Sequence, residues 1–464
     1  MKKNILNKSK IKKTLLFLIF TIIITSGFGC TNNIFKKQPA ELKPVTIKVW
    51  GVYEDRASLQ PLFDAYSTIH PNVKFNYRIF SYDEYENQLI SAWAEDNGPD
   101  IYFLPNNWVR KMSKYITPMP ETAQLPYRDI KSTGIGSFKK TDIIDYVKET
   151  KMTSLNDITK NFAPVVFKDN VISNKIYGLP LSIDTMAMFY NKDMLNNVNI
   201  PLPPSNWTEF KNAVKAITLL NEDGKFLQSG TALGTTNNIT NSADIVMLLI
   251  QQNGINVGSG GSISLGNTKD EINLTLQAIN FYNDFSNPIK EVYSWNEEQD
   301  NSLEAFINGQ VGFFFGYPYN IQQIKSRAPK LNFGISEIPQ IENTNNPINF
   351  ADYWVMTVSH KTKSSDVAWG FIDFATKKEN AKIYLDQTHK PTALNSLIAE
   401  QLNDLEIGPF SKQILTAKSW YQGKNPDIAE KYINEMLNSI KNGSSEKPEN
   451  IIQTTAIRIN QTIQ

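Results

Sequence analysis

From Val45 onward the apolar positions switch repeatedly between a period of two and a period near 3.6. VTIKVWG, Val45 to Gly51, alternates as a strand, and LQPLFDAYSTI keeps helical spacing up to His70-Pro71, where proline stops the helix. VKFNYRIFS alternates again, Tyr85 to Ala94 returns to helical spacing, and DIYFLPNN reads as a third strand after the Asn97-Gly98-Pro99 turn. Strand and helix in alternation predict parallel pairing through right-handed crossovers. The expected fold class is therefore α/β, with functional loops at the carboxyl ends of the strands. Those ends carry Trp50, Tyr53, Glu54 and Asp55 after the first strand, and Asn106, Asn107 and Trp108 after the third.

IYGLPLSIDTMAMFYNKDML, Ile176 to Leu195, breaks this rhythm. Its first half reads as a strand bent at Gly178 and Pro180, its second half as another strand passing into a short helix, and Asp184 lies just past the bend. A chain leaving one lobe for another has this form, and ligands favour such junctions. Between Lys111 and Lys175 the pattern is poor, with polar turns at Asp142 to Val147 and a helix from Ser154 to Phe162, and no function is assigned there. Beyond the crossover, Pro203-Pro204 breaks the chain and Ser205 or Asn206 caps a helix to about Leu220. Asn221 to Gly224 is a hairpin turn, since a calcium loop needs a later bidentate Glu that is missing. Asn256 to Thr268, with SGGS, reads as a flexible surface loop, and the chain from Asn403 is mostly helical.

Length and charge narrow the classes. With 464 residues the chain has room for two or three lobes. Its 47 basic and 46 acidic residues leave a charge of +1, which gives nucleic acid no electrostatic footing. Eight Trp and nineteen Tyr are generous for a soluble protein, and the surplus belongs in cores, where most aromatic side chains go, or on a binding face. The lysine-rich MKKNILNKSKIKK and the short apolar LLFLIFTIII resemble a signal peptide over residues 1–29. Cys30, the single cysteine, has no disulfide partner, and after SGFG it looks like the lipid-modified first residue of a bacterial lipoprotein, although Gly27 stands where Leu is usual. An uncleaved N-terminal anchor is the alternative. Either would hold the body at the outer face of a membrane through a tether spanning residues 30–45.

The string Tyr-Gly-Leu-Pro, then Asp-Thr, then Phe-Tyr-Asn-Lys-Asp, within Ile176 to Leu195, resembles the crossover of family 1 extracellular solute-binding proteins, the maltose-binding-protein-like sugar receptors of ABC importers. Other segments are similar in order and spacing: the polar loop before a helix ending Gln252-Asn253-Gly254, the unit with Phe306, Gly309 and Gly312, and the return crossover NFADYWVMTVSH. The resemblance implies a two-lobe periplasmic-binding-protein fold of type II, with residues 46–182 and 351–400 in one lobe and 183–350 and 401–464 in the other. It implies a ligand held between the lobes, separate permease and ATPase chains as partners, a monomer, and neither cofactor nor metal. Sugars call for aromatic faces that stack on pyranose rings and for carboxylates and amides that bond hydroxyls. Stacking is expected of Trp50, Tyr53, Tyr317, Tyr319, Tyr353 and Trp420, and hydroxyl bonding of Glu54, Asn107, Asp184, Asn238 and Asp352. For Asn238 helix capping is an equal alternative.

Rival chemistries lack parts. His70, His360 and His389 are far apart in sequence, with no HExxH, no G-x-S-x-G and no G-x-x-x-x-G-K-[ST] in the chain. A surface glycosidase using two of Glu54, Asp184 and Asp352 is the serious enzyme alternative. A passive adhesin is a third class and would need no hinge.

Overall fold

The computed structural model describes residues 42–133, 140–259 and 262–463. The expected leader, Cys30 and most of the tether lie outside the described residues. Asp129–Tyr146 belongs to a separate unit, whose described parts lie in the strands Thr122–Thr133 and Lys140–Lys151. There the polar turns expected at 142–147 are replaced by part of the strand Lys140–Lys151. Alternating short polar and apolar side chains suit an extended ladder as well as a turn, and no Gly or Pro interrupts them.

The main unit has two hydrophobic cores, each assembled from separated stretches of chain. The first sheet runs in the order Trp354–Val358, Ile101–Pro105, Val45–Gly51, Val73–Ile79. The three N-terminal strands are parallel, and Trp354–Val358 returns antiparallel beside Ile101–Pro105. The helix Arg56–Ile69 links the first pair, with Asp55 accepting from the Ser58 backbone N–H at 2.7 Å as its N-cap. Leu59, Leu62, Phe63 and Tyr66 recur at helical spacing and are buried against the sheet. Each such side chain contributes roughly 1.5–3 kcal/mol through burial.

The second sheet has the order Leu219–Leu220, Phe226–Thr231, Val311–Gly316, Ala187–Asn191, Phe333–Ser336. Every residue of VGFFFG in the strand Val311–Gly316 is buried, as a continuous apolar run at the centre of a covered sheet should be. The helix preceding this sheet ends at Ile217, three residues short of expectation, because Leu219 and Leu220 pair with Phe226–Thr231 across the Asn221–Gly224 turn. The stretch read as a loop over residues 256–268 instead holds a short antiparallel pair, Gly258–Ser259 with Ser262–Ile263, and buries Val257, Ile263 and Leu265. The helices Pro426–Lys441 and Pro448–Gln461 complete the second core.

A third, three-stranded sheet joins the two cores: Ala417–Lys418, Asn349–Asp352 and Asp184–Thr185. Its outer strands belong to chain stretches far apart in sequence, so the polypeptide passes between the cores three times. The segment after Ala417 clips the cores together. Ser419 Oγ donates to Asp169 at 2.5 Å and Gln422 Nε2 also donates to Asp169, which is buried at the first core, whereas Trp420 between them packs in the second. Asp169 further accepts from Asn106 Nδ2 at 2.8 Å and Tyr353 Oη at 3.0 Å.

Candidate functional site

Beside the three-stranded sheet lies a cavity of about 730 Å³, within the range of small-molecule sites. Three consecutive strand ends of the first sheet supply one wall: Tyr53 and Glu54 follow Val45–Gly51, Tyr82 follows Val73–Ile79, and Asn107 follows Ile101–Pro105. The second core supplies the opposite wall. Asp244 stands in the first turn of the helix Ser242–Gln252, Tyr319 opens the helix Tyr319–Arg327, and Glu430 projects from Pro426–Lys441. Asp184, Asp352 and Trp354 come from the joining segments.

Rings form a platform on the first wall. Tyr53 and Tyr82 stack at 6.3 Å and 14°, and Trp354 meets Tyr53 edge-on at 5.3 Å. On the other wall Tyr319 stacks on Tyr317 at 5.7 Å. Tyr53 is 65% and Tyr319 48% exposed, so both present apolar faces to the cavity at a cost that only a ligand removes.

The polar lining mixes amides and hydroxyls with six carboxylates. Burial raises Asp184 to about 6, with Lys390 opposing and Glu54 adding to the rise. Burial likewise raises Asp244 to about 6 against hydrogen bonds from Trp420 and Tyr317. Asp352 reaches about 8 through burial and the charges of Asp244 and Asp184, and Glu430 about 8 through burial and the charges of Asp244, Asp352 and Asp427. The lysine of the lining, Lys390, is ion-paired with Glu54. Three buried polar atoms on cavity residues have no hydrogen-bond partner among the described residues: Asp184 Oδ1, Asn107 Oδ1 and Asn241 Nδ2. Two accept and one donates. A buried polar group left this way is costly, and pairing it is a gain available to a ligand rich in hydroxyls.

Six of the eleven ligand residues expected from sequence line this cavity: Tyr53, Glu54, Asn107, Asp184, Tyr319 and Asp352. The other five do not. Trp50 is buried in the first core against Phe80 at 4.4 Å. Tyr353 is also buried there, its hydroxyl on Asp169, because side chains alternate along an extended chain and Asp352 and Trp354 take the cavity side. Asn238 ties its own loop together, donating to the carbonyls of Asn296 at 2.9 Å and Gln299 at 3.0 Å and accepting from Trp295 Nε1 at 3.1 Å. Tyr317 and Trp420 stand behind the wall, donating to the two oxygens of Asp244 at 3.3 and 3.0 Å. They orient a lining carboxylate without facing the cavity themselves.

Tyr82, Asn241, Asp244, Trp354, Lys390 and Glu430 line the cavity without having been expected there. Two of them carry a sequence signal. Trp354 shares its side with Asp352 at a spacing of two, and Tyr82 follows the second parallel strand as Tyr53 follows the first. Lys390 and Glu430 arrive from helical regions distant in sequence and carry none.

A family model of bacterial extracellular solute-binding proteins matches residues 62–404. The maltodextrin-binding protein of Bacillus subtilis is 26% identical over 262 residues, covering 53% of this chain and 58% of that protein. The match thus spans little more than half the length of that relative. The maltooligosaccharide ABC transporter solute-binding lipoprotein of Streptococcus pneumoniae is 21% identical over 370 residues, 77% of this chain and 76% of its own. Among solved structures, the cyclic alpha-maltosyl-1,6-maltose binding protein from Arthrobacter globiformis has a TM-score of 0.69 at 15% identity, over 90% of this chain and 99% of that one. At that identity the likeness is one of fold, the two-lobe α/β fold of periplasmic sugar-binding proteins. Among the described residues no helix is long and apolar enough to cross a membrane.

Proposed function

The chain belongs to the bacterial extracellular solute-binding proteins, and from that premise we propose that it is the receptor of an ABC importer, capturing a mono- or oligosaccharide between its two cores. The observation that carries this reading is the cavity lining, where Asp184 Oδ1, Asn107 Oδ1 and Asn241 Nδ2 are buried without partners beside the exposed rings of Tyr53 and Tyr319. A sugar hydroxyl donates and accepts at once, and a pyranose offers a C–H face to each ring. One ligand class meets both demands. The relatives named above for maltodextrin and maltooligosaccharide support the same class.

In this reading ligand contacts made to both walls favour a closed arrangement of the two cores over an open one, and the closed form docks on the membrane permease. The ATPase and permease are separate chains, the receptor acts as a monomer, and a lipid on Cys30 holds it at the outer face of the membrane. The reaction class is binding without turnover. The glycosidase alternative draws no support from the relatives, which are named as binding proteins.

A tryptophan-fluorescence titration against a broad panel of glycans, neutral and amine-bearing, with product analysis of the same samples, tests the proposal. Saturable change without product is expected, since Trp354 lines the cavity. Cleaved glycan, or silence across the panel, would overturn it.

A further inference from the structure

The charge of the lining constrains the ligand beyond its being a sugar, an inference that rests on the reading just given. Six carboxylates line one cavity; Glu54 and Glu406 are ion-paired with Lys390 and Lys325, which leaves Asp184, Asp244, Asp352 and Glu430. The nearby cations are committed elsewhere: Lys390 is ion-paired with Glu54, and His389 Nε2 at the rim faces Asp404 at 3.5 Å and Glu406 at 3.9 Å. Asp244 receives two neutral donors, Tyr317 and Trp420. Asp352 and Glu430 accept no hydrogen bond and form no ion pair among the described residues, and Asp184 Oδ1 is buried without a partner. A metal ion does not resolve the excess, because among the described residues no three acidic, histidine or cysteine side chains are grouped to hold one.

We infer that this cleft selects a sugar bearing a protonated amine, an amino sugar or its short oligomer, and rejects sugars carrying a carboxylate or phosphate. A neutral sugar satisfies the orphaned oxygens but offers no counter-charge to the cluster of Asp184, Asp352 and Glu430, which must go on holding protons in its place. An ammonium group supplies three donors and one positive charge together, and the rings of Tyr53, Tyr82 and Trp354 attract a cation on their faces. A uronate or sugar phosphate adds a further negative charge to a low-dielectric acidic pocket, a juxtaposition that like-charge repulsion opposes.

Proton linkage gives the inference a signature separate from affinity. Asp352 and Glu430 titrate near pH 8, so at pH 7 the ligand-free cavity retains protons there. Asp427 reinforces that retention at Glu430, while Lys390 acts against it at Asp184. An ammonium ligand favours the charged carboxylates and expels those protons on binding. A neutral sugar expels few or none.

The test is isothermal titration of the full chain at pH 7 with trisaccharides of glucose, of glucosamine and of galacturonic acid, repeated in buffers of different ionisation enthalpy. The glucosamine trimer should bind at least tenfold more tightly than the glucose trimer and release protons, and the galacturonate trimer should not bind. In Asp352→Asn/Glu430→Gln the ratio of glucosamine-trimer to glucose-trimer affinity should fall to about one and the proton release should disappear, even where both trimers bind more weakly. A glucose trimer bound as tightly as the glucosamine trimer, or a preference unchanged in the double variant, would overturn the inference and leave the sugar-receptor reading standing. Silence from all three would overturn both.

Discussion

Asp184 and Asp352 are register partners on adjacent antiparallel strands of the sheet that joins the two cores. Directly opposed residues of such a pair lie about 5 Å apart at Cα, and like charges there are destabilising. The chain places its two joint carboxylates at one spot, where burial and the charges of Asp244 and Asp184 raise Asp352 to about 8 and where both line the cavity. Folding stability is lower for this arrangement than for a neutral pair. The return is a polar patch at the point where the cores meet.

That relationship gives a pH prediction with a fixed sign. Because Asp352 has a higher pKa folded than unfolded, the folded state holds the extra proton between about pH 4 and pH 8, and stability falls as pH rises through that window. Asp352→Asn removes the cost. Its stability gain over the parent chain should increase steadily as pH rises from 5 to 8.5, by roughly a few kcal/mol. Buried His70, held below its ordinary value by burial, pulls the other way at acid pH but is common to both proteins and cancels in the difference. Chemical denaturation of the pair at both pH values measures it; a difference independent of pH would contradict the assignment.

For Asp184 the expectation concerns binding. Asp184→Ala should weaken capture of a bound sugar by roughly 10–100-fold, the worth of one or two hydrogen bonds to a charged acceptor. Its melting temperature at pH 7 should stay the same or rise slightly, since an unpaired buried oxygen is removed. Titration calorimetry and a thermal melt decide between this and a structural role, which would lower the melting temperature instead.

Paired ring substitutions separate the platform from the core. Trp354→Ala should reduce sugar affinity by roughly 5–30-fold through lost stacking. Trp50→Phe, in the first core against Phe80, should leave affinity unchanged and cost stability. Fluorescence titration of the two variants, with denaturation curves alongside, reads both effects.

Asp169 carries the clip between the cores, so its loss should be felt in stability before binding. Asp169→Ala strands donors from Asn106, Tyr353, Ser419 and Gln422 at a site 1% exposed, and should cost roughly 3 kcal/mol. Ser419→Ala, removing one donor, should cost about 1 kcal/mol. Urea unfolding midpoints provide the comparison.

The parallel strands and their helices were legible because periodicity changes cleanly at Gly and Pro, as at Gly51, His70-Pro71 and Asn97-Gly98-Pro99. The Asp184 joint was legible for the same reason, at Gly178 and Pro180, and the Asp352 joint through the resemblance of NFADYWVMTVSH to a return crossover. What local pattern does not carry is the side of the chain that a residue turns to the cavity when both sides are apolar. Trp50, Tyr353 and Trp354 are alike as residue types, and the choice among them is made by which neighbour fills the core. Lys390 and Glu430 depend on helices brought together across long separations, Glu430 in the helix Pro426–Lys441 and Lys390 just beyond Lys378–Thr388. No window of adjacent residues contains that information.

The interleaved assembly of the two cores also orders events in time. Leu59 and Phe63, made early, share a core with Val355, Trp369 and Leu397, and Met188 and Phe210 share theirs with Ile433 and Ile459. A nascent chain therefore has its first core incomplete until about Ala417 and its second until the helix Pro448–Gln461 is synthesised, and the long intermediate stretch must travel unfinished, with its greasy strands exposed to whatever chaperone or translocation channel receives it.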